Sequence, residues 1–395
     1  MSRRLVALAL LGVLASCTVP AAPPSNDLAA GEDLVVEPAE PDQPVRITIW
    51  SSKQLPPAIA SAAAKVPGVM AVAARRSGTL NLLGVVGGTK PLAGRPAGSI
   101  LPISVEMQDA NVLGAYERFA DAAAALRRGE AVVPRSVAAL RGVEAGDALD
   151  IGNGRRRARV RIGAVVPDDR WFRSEIVIPP ATADALDLGR ANGIVVVVEP
   201  ERGVEAEAAL TRAVGTFPAR IRAGTPAAGP QAPAAPGTQR RLLSLGELKT
   251  LFGEFWYRER AGRAIAIDPA WSAANIVEAS VPVLGTVRCH RLIIPQLRRV
   301  MLELQQRGLA GLVRTNDGCY NPRMQVGNSE AISRHAFGVA VDINAAANGY
   351  GAASTQDMRL VQIMQRWGFI WGGTWTTPDA MHFEFGSFPK EGMHG

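Results

Sequence analysis

The stretch that most constrains this chain is residues 222–240, Arg-Ala-Gly-Thr-Pro-Ala-Ala-Gly-Pro-Gln-Ala-Pro-Ala-Ala-Pro-Gly-Thr-Gln-Arg. It holds no large apolar side chain to bury, and its prolines cannot donate to a helix or a ladder. Such a segment reads as a semi-rigid Pro/Ala linker between separately folded parts. With 395 residues the chain is in any case too long for one average core. The linker predicts one module over residues 45–221 and a second over 241–395. Residues 18–44, rich in Pro, Ala, Asp and Glu without an apolar period, read as a flexible stalk.

The first 17 residues carry an address. Arg3 and Arg4 precede an apolar run from Leu5 to Val13, the layout of a secretory signal peptide. The run is far short of the roughly 20 residues a membrane-spanning helix needs. It ends in Leu14-Ala15-Ser16-Cys17, which resembles the lipobox of bacterial lipoproteins. That resemblance implies cleavage before Cys17, lipidation of Cys17, and a bacterial cell-envelope lipoprotein held outside the cytoplasm by its membrane anchor. The alternative is a plain signal peptide with a chance cysteine. Without Cys17, only Cys289 and Cys319 remain, an even pair in an oxidising compartment, which predicts a disulfide. Two unpaired buried thiols are the other reading. The net charge of +7 is spread over the chain with no basic run interleaved with aromatics, which argues against a nucleic-acid partner. It leaves room for mild attraction to an anionic polymer.

Over residues 45–221 the apolar periodicity predicts an α+β module. Strands are expected at Val45–Trp50, Val69–Ala74, Thr79–Val86, Glu175–Ile178 and Gly193–Glu199. Helices are expected at Leu55–Val66, Asp109–Arg128 and Val204–Val214. Asn153-Gly154 predicts a two-residue hairpin between 146–151 and Arg157–Val166. The phrases VPGVMAVAARRSGTLNLLG and VPRSVAALRGVEAGDALDIG…RRRARVRIGAVV resemble the extracytoplasmic core of MacB/FtsX-type transporter permeases. No flanking apolar helices accompany them, so transport is not implied. The module shows no catalytic constellation and reads as a spacer, a docking part for a membrane-complex partner, or a regulatory part.

The second module opens on a capping box, Ser244-x-x-Glu247, before a helix. Residues Ile265 to Leu284 read as mixed loop and extended chain. A helix is expected from Pro295 to a stop at Gly308, and another from Ser354-x-x-Asp357, burying Met358, Val361, Met364 and Trp367. Short strands are expected at Val339–Ile343, Phe369–Trp371 and His382–Phe385.

The chain has four histidines, and two stand in suggestive settings: Ser333-Arg-His335-Ala-Phe-Gly338-Val-Ala340-Val-Asp342 and Asp379-Ala-Met-His382. Hydrolytic zinc takes three protein ligands and keeps a fourth position for water. Two neutral imidazoles and one carboxylate leave such a site at net +1, which acidifies the water and polarises a carbonyl. His335, Asp342 and His382 supply that set. Ala340 and Asp342 share one face of a strand, and Gly338 allows a turn or a close approach. Asp379, three residues before His382, is placed to accept the water's proton as general base. Glu384 alternates onto the His382 face and can orient that ligand. Arg323, in Cys319-Tyr-Asn-Pro-Arg323, can hold a substrate carboxylate or an oxyanion through its planar fork, and Ser333 can hydrogen-bond the same group.

These residues, with Trp371-Gly-Gly-x-Trp375 and Asp342-Ile-Asn344, resemble the zinc peptidase family of VanY-type D-Ala-D-Ala carboxypeptidases and phage L-alanyl-D-glutamate endopeptidases. The resemblance covers about residues 245–388. It implies a small α+β domain with an antiparallel sheet, zinc on His335, Asp342 and His382, Asp379 as base, Arg323 against substrate, and peptidoglycan stem peptides as substrates. Carboxypeptidase branches use Glu at the base and the endolysin-like branch uses Asp, so Asp379 leans towards the latter. The alternative class is a non-catalytic cell-wall-binding or scaffold lipoprotein that retains a zinc site. His290 reads as structural, and Trp371 and Trp375 read as core or groove wall.

Overall fold

The computed structural model describes residues 43–388 apart from 52, 93, 169–173, 190, 192, 224–241, 327 and 376. The signal peptide, Cys17, the stalk to residue 42, the linker from 224 and His394 lie outside the described residues.

In the first half, nine strands form one sheet. They are β1 (Val45–Trp50), β2 (Val69–Val86), β3 (Pro102–Met107), β4 (Ala131–Pro134), β5 (Ala148–Gly152), β6 (Arg157–Val166), β7 (Ile176–Ile178), β8 (Gly193–Val198) and β9 (Arg220–Ala223). Their order is β3-β7-β4-β6-β5-β2-β8-β1-β9, and β3 pairs back onto β2, so six strands form a closed ring. An apolar cluster including Leu82, Ile103, Val133, Ile151, Ile162 and Ile178 joins those six strands. Helices α1 (Pro57–Ala63), α2 (Ala110–Gly114), α3 (Ala120–Arg127), α4 (Arg135–Arg141), α5 (Pro180–Ala185) and α6 (Gly203–Val214) complete this half.

Three local expectations are corrected. The two strands expected at 69–74 and 79–86 are one 18-residue strand. The polar link Arg75–Gly78 stays extended because Arg76 and Ser77 pair with Met107 and Glu106, and the Arg75 guanidinium binds buried Glu106 at 2.7 and 3.1 Å. The helix expected over 109–128 is broken at Tyr116, which is extended at φ −117° and ψ 120° and begins a 3-10 turn. Tyr116 and Phe119 are both buried there, so packing overrides local helix preference. The hairpin tip sits one residue beyond the expected pair: Asn153 N–H closes on the Arg156 carbonyl, so Gly154 and Arg155 form the tip, while the Asn153 side chain accepts from the amides of Arg155 and Arg156.

The second half comprises α7 (Leu245–Phe252), β10 (Tyr257–Glu259), β11 (Ile265–Ile267), α8 (Pro269–Asn275), β12 (Ile276–Val281), β13 (Gly285–His290), α9 (Ile294–Gln306), β14 (Asn316–Gly318), β15 (Met324–Gln325), β16 (Asn328–Ile332), β17 (Ala340–Ile343), α10 (Met358–Arg366), β18 (Phe369–Trp371) and β19 (His382–Phe385). Its central sheet has the order β14-β17-β19-β18, antiparallel throughout. Together the halves are α+β. The capping box at α7 is present in full. Helix α8 was not expected; Asp268 caps it by accepting from Ala270 N–H, and Pro269 occupies its first turn. Helix α10 is capped by Asp357 rather than Ser354, which leaves Met358 36% exposed and buries Leu360, Val361, Ile363 and Met364.

Cys289 and Cys319 form the expected disulfide, with Cα atoms 5.4 Å apart and a sequence separation of 30. It ties the end of β13 to the segment leaving β14. Exchanging both cysteines for alanine is expected to lower stability by about 3–4 kcal/mol through the freed loop of the unfolded chain. A urea midpoint that barely moves would show that the bridge stabilises nothing.

The halves meet along α7. Gly246 lies flat on α4; a Cβ there would stand 2.5 Å from Val137 Cγ2 and 2.9 Å from Ser136 Oγ. One turn on, Lys249 is 0% exposed at its side chain, and its ammonium donates to both Glu175 oxygens, at 2.8 and 3.0 Å, and to the Pro102 carbonyl. Glu254 lies 3.1 Å from the same ammonium and also accepts from Arg141. Beside this cluster Ile100 and Tyr257 exchange backbone hydrogen bonds of 2.8 and 2.9 Å.

Candidate metal centre

Pairing of β17 with β19 sets Asp342 directly opposite His382, and directly opposed residues of an antiparallel pair project on one face. His335 reaches the same point from the 3-10 turn Arg334–Phe337. Ser333 caps that turn, its hydroxyl accepting from His335 N–H at 3.3 Å. Gly338 ends it at φ +66°, and a Cβ there would lie 2.8 Å from the His290 nitrogen. Left-handed backbone and lack of space both call for glycine.

The three side chains converge. Nε2 of His335, Nδ1 of His382 and Oδ1 of Asp342 stand pairwise 3.1–3.2 Å apart, all on buried residues. Two donors each about 2.0–2.1 Å from a tetrahedral zinc lie about 3.3 Å apart, so the triangle has the dimensions of one face of such a site. Among the described residues it is the one group of three or more His, Cys, Asp or Glu side chains that could hold a metal ion.

The far sides of both rings are tied down in the way metal-binding imidazoles require. His335 Nδ1 donates to the Cys319 carbonyl at 2.7 Å, and His382 Nε2 donates to the Glu384 carboxylate at 3.1 Å. Each ring thereby turns its remaining nitrogen into the triangle. Burial disfavours the Asp342 carboxylate, yet hydrogen bonds to the two imidazoles hold it well below the usual carboxylate range. Against the same burial, Asp342 and Glu384 push His382 up to about 10. The site favours positive charge beside Asp342, whether carried by a proton or by a cation.

Asp379 lies at the turn into β19, where its carbonyl accepts from His382 N–H at 3.1 Å. Its carboxyl oxygen Oδ1 is buried and has no hydrogen-bond partner among the described residues. Burial, and secondarily the nearby Asp342 charge, raise its pKa, while His382, His335 and Arg323 oppose the rise. Arg323 is half-buried next to β15. Burial lowers its pKa, and the carboxylates of Asp342 and Asp379 counter that, so its guanidinium lies within their field. The Trp375 ring stands 5.2 Å from the His382 ring and forms a wall of the site. Trp371 is core, its indole N–H donating to the Ala380 carbonyl.

His290 stays outside the cluster. It is buried, its Nε2 donates to the Phe252 carbonyl, and burial lowers its pKa to about 4. The Cys319 carbonyl is the part of the site that sequence reasoning missed. A main-chain acceptor leaves no mark on residue identity, and the only available pointer was the disulfide expected at the same residue.

No curated protein matches the chain. Among solved structures, the extracellular domain of a noncanonic ABC-type transporter, YknZ, from Gram-positive bacteria is similar at 14% identity and a TM-score of 0.28, covering 45% of this chain and 98% of that one. No helix among the described residues is long and apolar enough to cross a membrane. The segment that holds all three members of the triangle and Asp379, residues 327–385, matches the family model described as D-alanyl-D-alanine carboxypeptidase.

Proposed function

We propose that the chain is an exported, lipid-anchored zinc peptidase that hydrolyses peptidoglycan stem peptides. The observation that carries this reading is the pairing of a buried His-Asp-His triangle of zinc dimensions with a neighbouring carboxylate whose oxygen is unpartnered. The match to a carboxypeptidase family over the same residues supports the substrate class. Anchoring through Cys17 and placement outside the cytoplasm rest on the signal and lipobox pattern alone.

Bound zinc would acidify a coordinated water and polarise the scissile carbonyl. The residues of the chain supply the rest. His335, Asp342 and His382 hold the ion, with Glu384 and the Cys319 carbonyl fixing the two rings. Asp379 takes the proton at its free Oδ1 and returns it to the leaving amine, a role that its raised pKa suits. Arg323 binds a substrate carboxylate as a fork. Ser333, expected at the substrate, serves in this reading as the cap that sets His335. The first half then acts as a docking or regulatory part for a membrane-complex partner.

Digestion of defined cell-wall peptides by the zinc-loaded protein, read by mass spectrometry, tests the reading. Loss of a terminal D-Ala and a cut between L-Ala and D-Glu give different products, and either outcome supports it. Peptides left intact by protein shown to hold zinc would rule out the enzyme in favour of a cell-wall-binding lipoprotein.

A further inference from the structure

Arg334 occupies the same 3-10 turn as His335 but points its guanidinium elsewhere. One N–H group, at Nη2, donates to the Leu243 carbonyl at 2.6 Å. Another nitrogen, Nε, lies 3.5 Å from Glu384 Oε1, with the two side chains 15% and 6% exposed. Glu384 in turn accepts from His382 Nε2 through its other oxygen at 3.1 Å. Leu243 immediately precedes Ser244, the cap of α7, and α7 is pinned by Gly246 against α4 and by Lys249 in its buried carboxylate cluster. A continuous series of contacts therefore runs from a fixed helix start, through Arg334 and Glu384, to one corner of the metal triangle.

We propose that Arg334 is a positioning residue for the metal centre: it fastens Glu384, and through it the His382 ring, to the main chain at Leu243. The inference rests on the zinc reading of the cluster. Planar geometry is what suits arginine to the task, because its N–H groups diverge in fixed directions and can serve a carbonyl and a carboxylate together. A lysine ammonium on a flexible stem reaches one or the other. Without the guanidinium, Glu384 keeps His382 as a partner but loses one of the contacts that hold its carboxylate in place. The ring nitrogen facing the triangle then samples directions in which its lone pair misses the ion. Partners at this remove from a metal typically alter affinity by about 10–100-fold.

The test uses the full chain and zinc alone, with affinity measured by competition against a chelator. Visible absorption of the cobalt-loaded form reports ligand geometry, and melting of the metal-free protein reports the fold. Arg334→Ala is expected to weaken zinc binding about tenfold and to shift the cobalt bands, with Arg334→Lys falling between it and the parent. Because the effect passes through Glu384, Arg334→Ala added to Glu384→Gln should cost nothing beyond Glu384→Gln alone. Affinity within about twofold of the parent, or losses that add in full, overturns the proposal while leaving the zinc reading intact. A parent protein that binds no zinc overturns both. Should Arg334→Ala fail to fold, Arg334→Lys carries the same cycle.

Discussion

Asp379→Asn is expected to keep one zinc per chain while lowering kcat on a susceptible cell-wall peptide about 10³-fold, the usual scale for a lost general base. Asparagine keeps the shape of the side chain, so the turn into β19 should stand. Asp379 contributes its main chain to that turn and its Oδ1 atom to nothing among the described residues. A buried acceptor without a partner is costly to keep. In the zinc reading that cost is offset when water and substrate enter. His335→Ala should behave differently, because it removes one of three converging donors, and both zinc and turnover should go. Metal content by mass spectrometry, measured beside peptide hydrolysis, separates the two variants. An Asp379→Asn protein that turns over at the parental rate would remove Asp379 from the mechanism.

Lys249→Ala should have the largest effect on stability, a loss of about 3–5 kcal/mol, because it leaves the carboxylate of Glu175 buried without its main counter-charge. Replacing Lys249 and Glu175 together by apolar residues of similar size should cost much less, since no lone charge is left behind. A denaturation series on the two variants checks this, and equal losses would contradict it. The cluster also predicts an acid limit. Burial works to raise Glu254, but the Lys249 ammonium and the Arg141 guanidinium outweigh it and bring Glu254 from an ordinary 4.5 down to about 2. A carboxylate with a depressed pKa stabilises the fold fully above its unfolded value and loses that contribution as pH falls towards the folded one. About 3 kcal/mol is therefore expected to drain away between about pH 4.5 and 2. Lys249→Ala should lose less over that window, so the gap in melting temperature between variant and parent narrows as the solution is acidified.

What could be read from the sequence was what is local. His335 and Asp342 are joined by a single turn and a single strand, and Asp379 and His382 by one turn, so spacing sufficed to group them. The α7 capping box and the Cys289–Cys319 bridge were legible for the same reason: few residues are involved, and their chemistry leaves few partners. The break at Tyr116 was not legible, because alanine-rich sequence on its C-terminal side favours continued helix and only tertiary burial of two aromatics opposes it. The single long β2 was hidden by Arg75-Arg76-Ser77-Gly78, polar residues whose partners Glu106 and Met107 lie on another strand. Lys249 was the hardest of all. A lysine amid Leu248, Leu251 and Phe252 reads as a solvent-facing helix position, and the carboxylate that buries it is 74 residues away in sequence.

The seam between the halves has two kinds of stitching with different evolutionary tolerance. At Ile100 and Tyr257 the main chains bond to each other, so either side chain can drift without its neighbour having to follow. At Lys249 the charges must change in concert or not at all, since a lone substitution strands an ion. A second half grafted onto another chain would therefore keep Glu254 beside Lys249 but lose Ile100, whose main chain any new strand could replace, and the ions that the first half contributes. The portable unit includes Arg141 and Glu175, residues that a cut at the linker would leave behind.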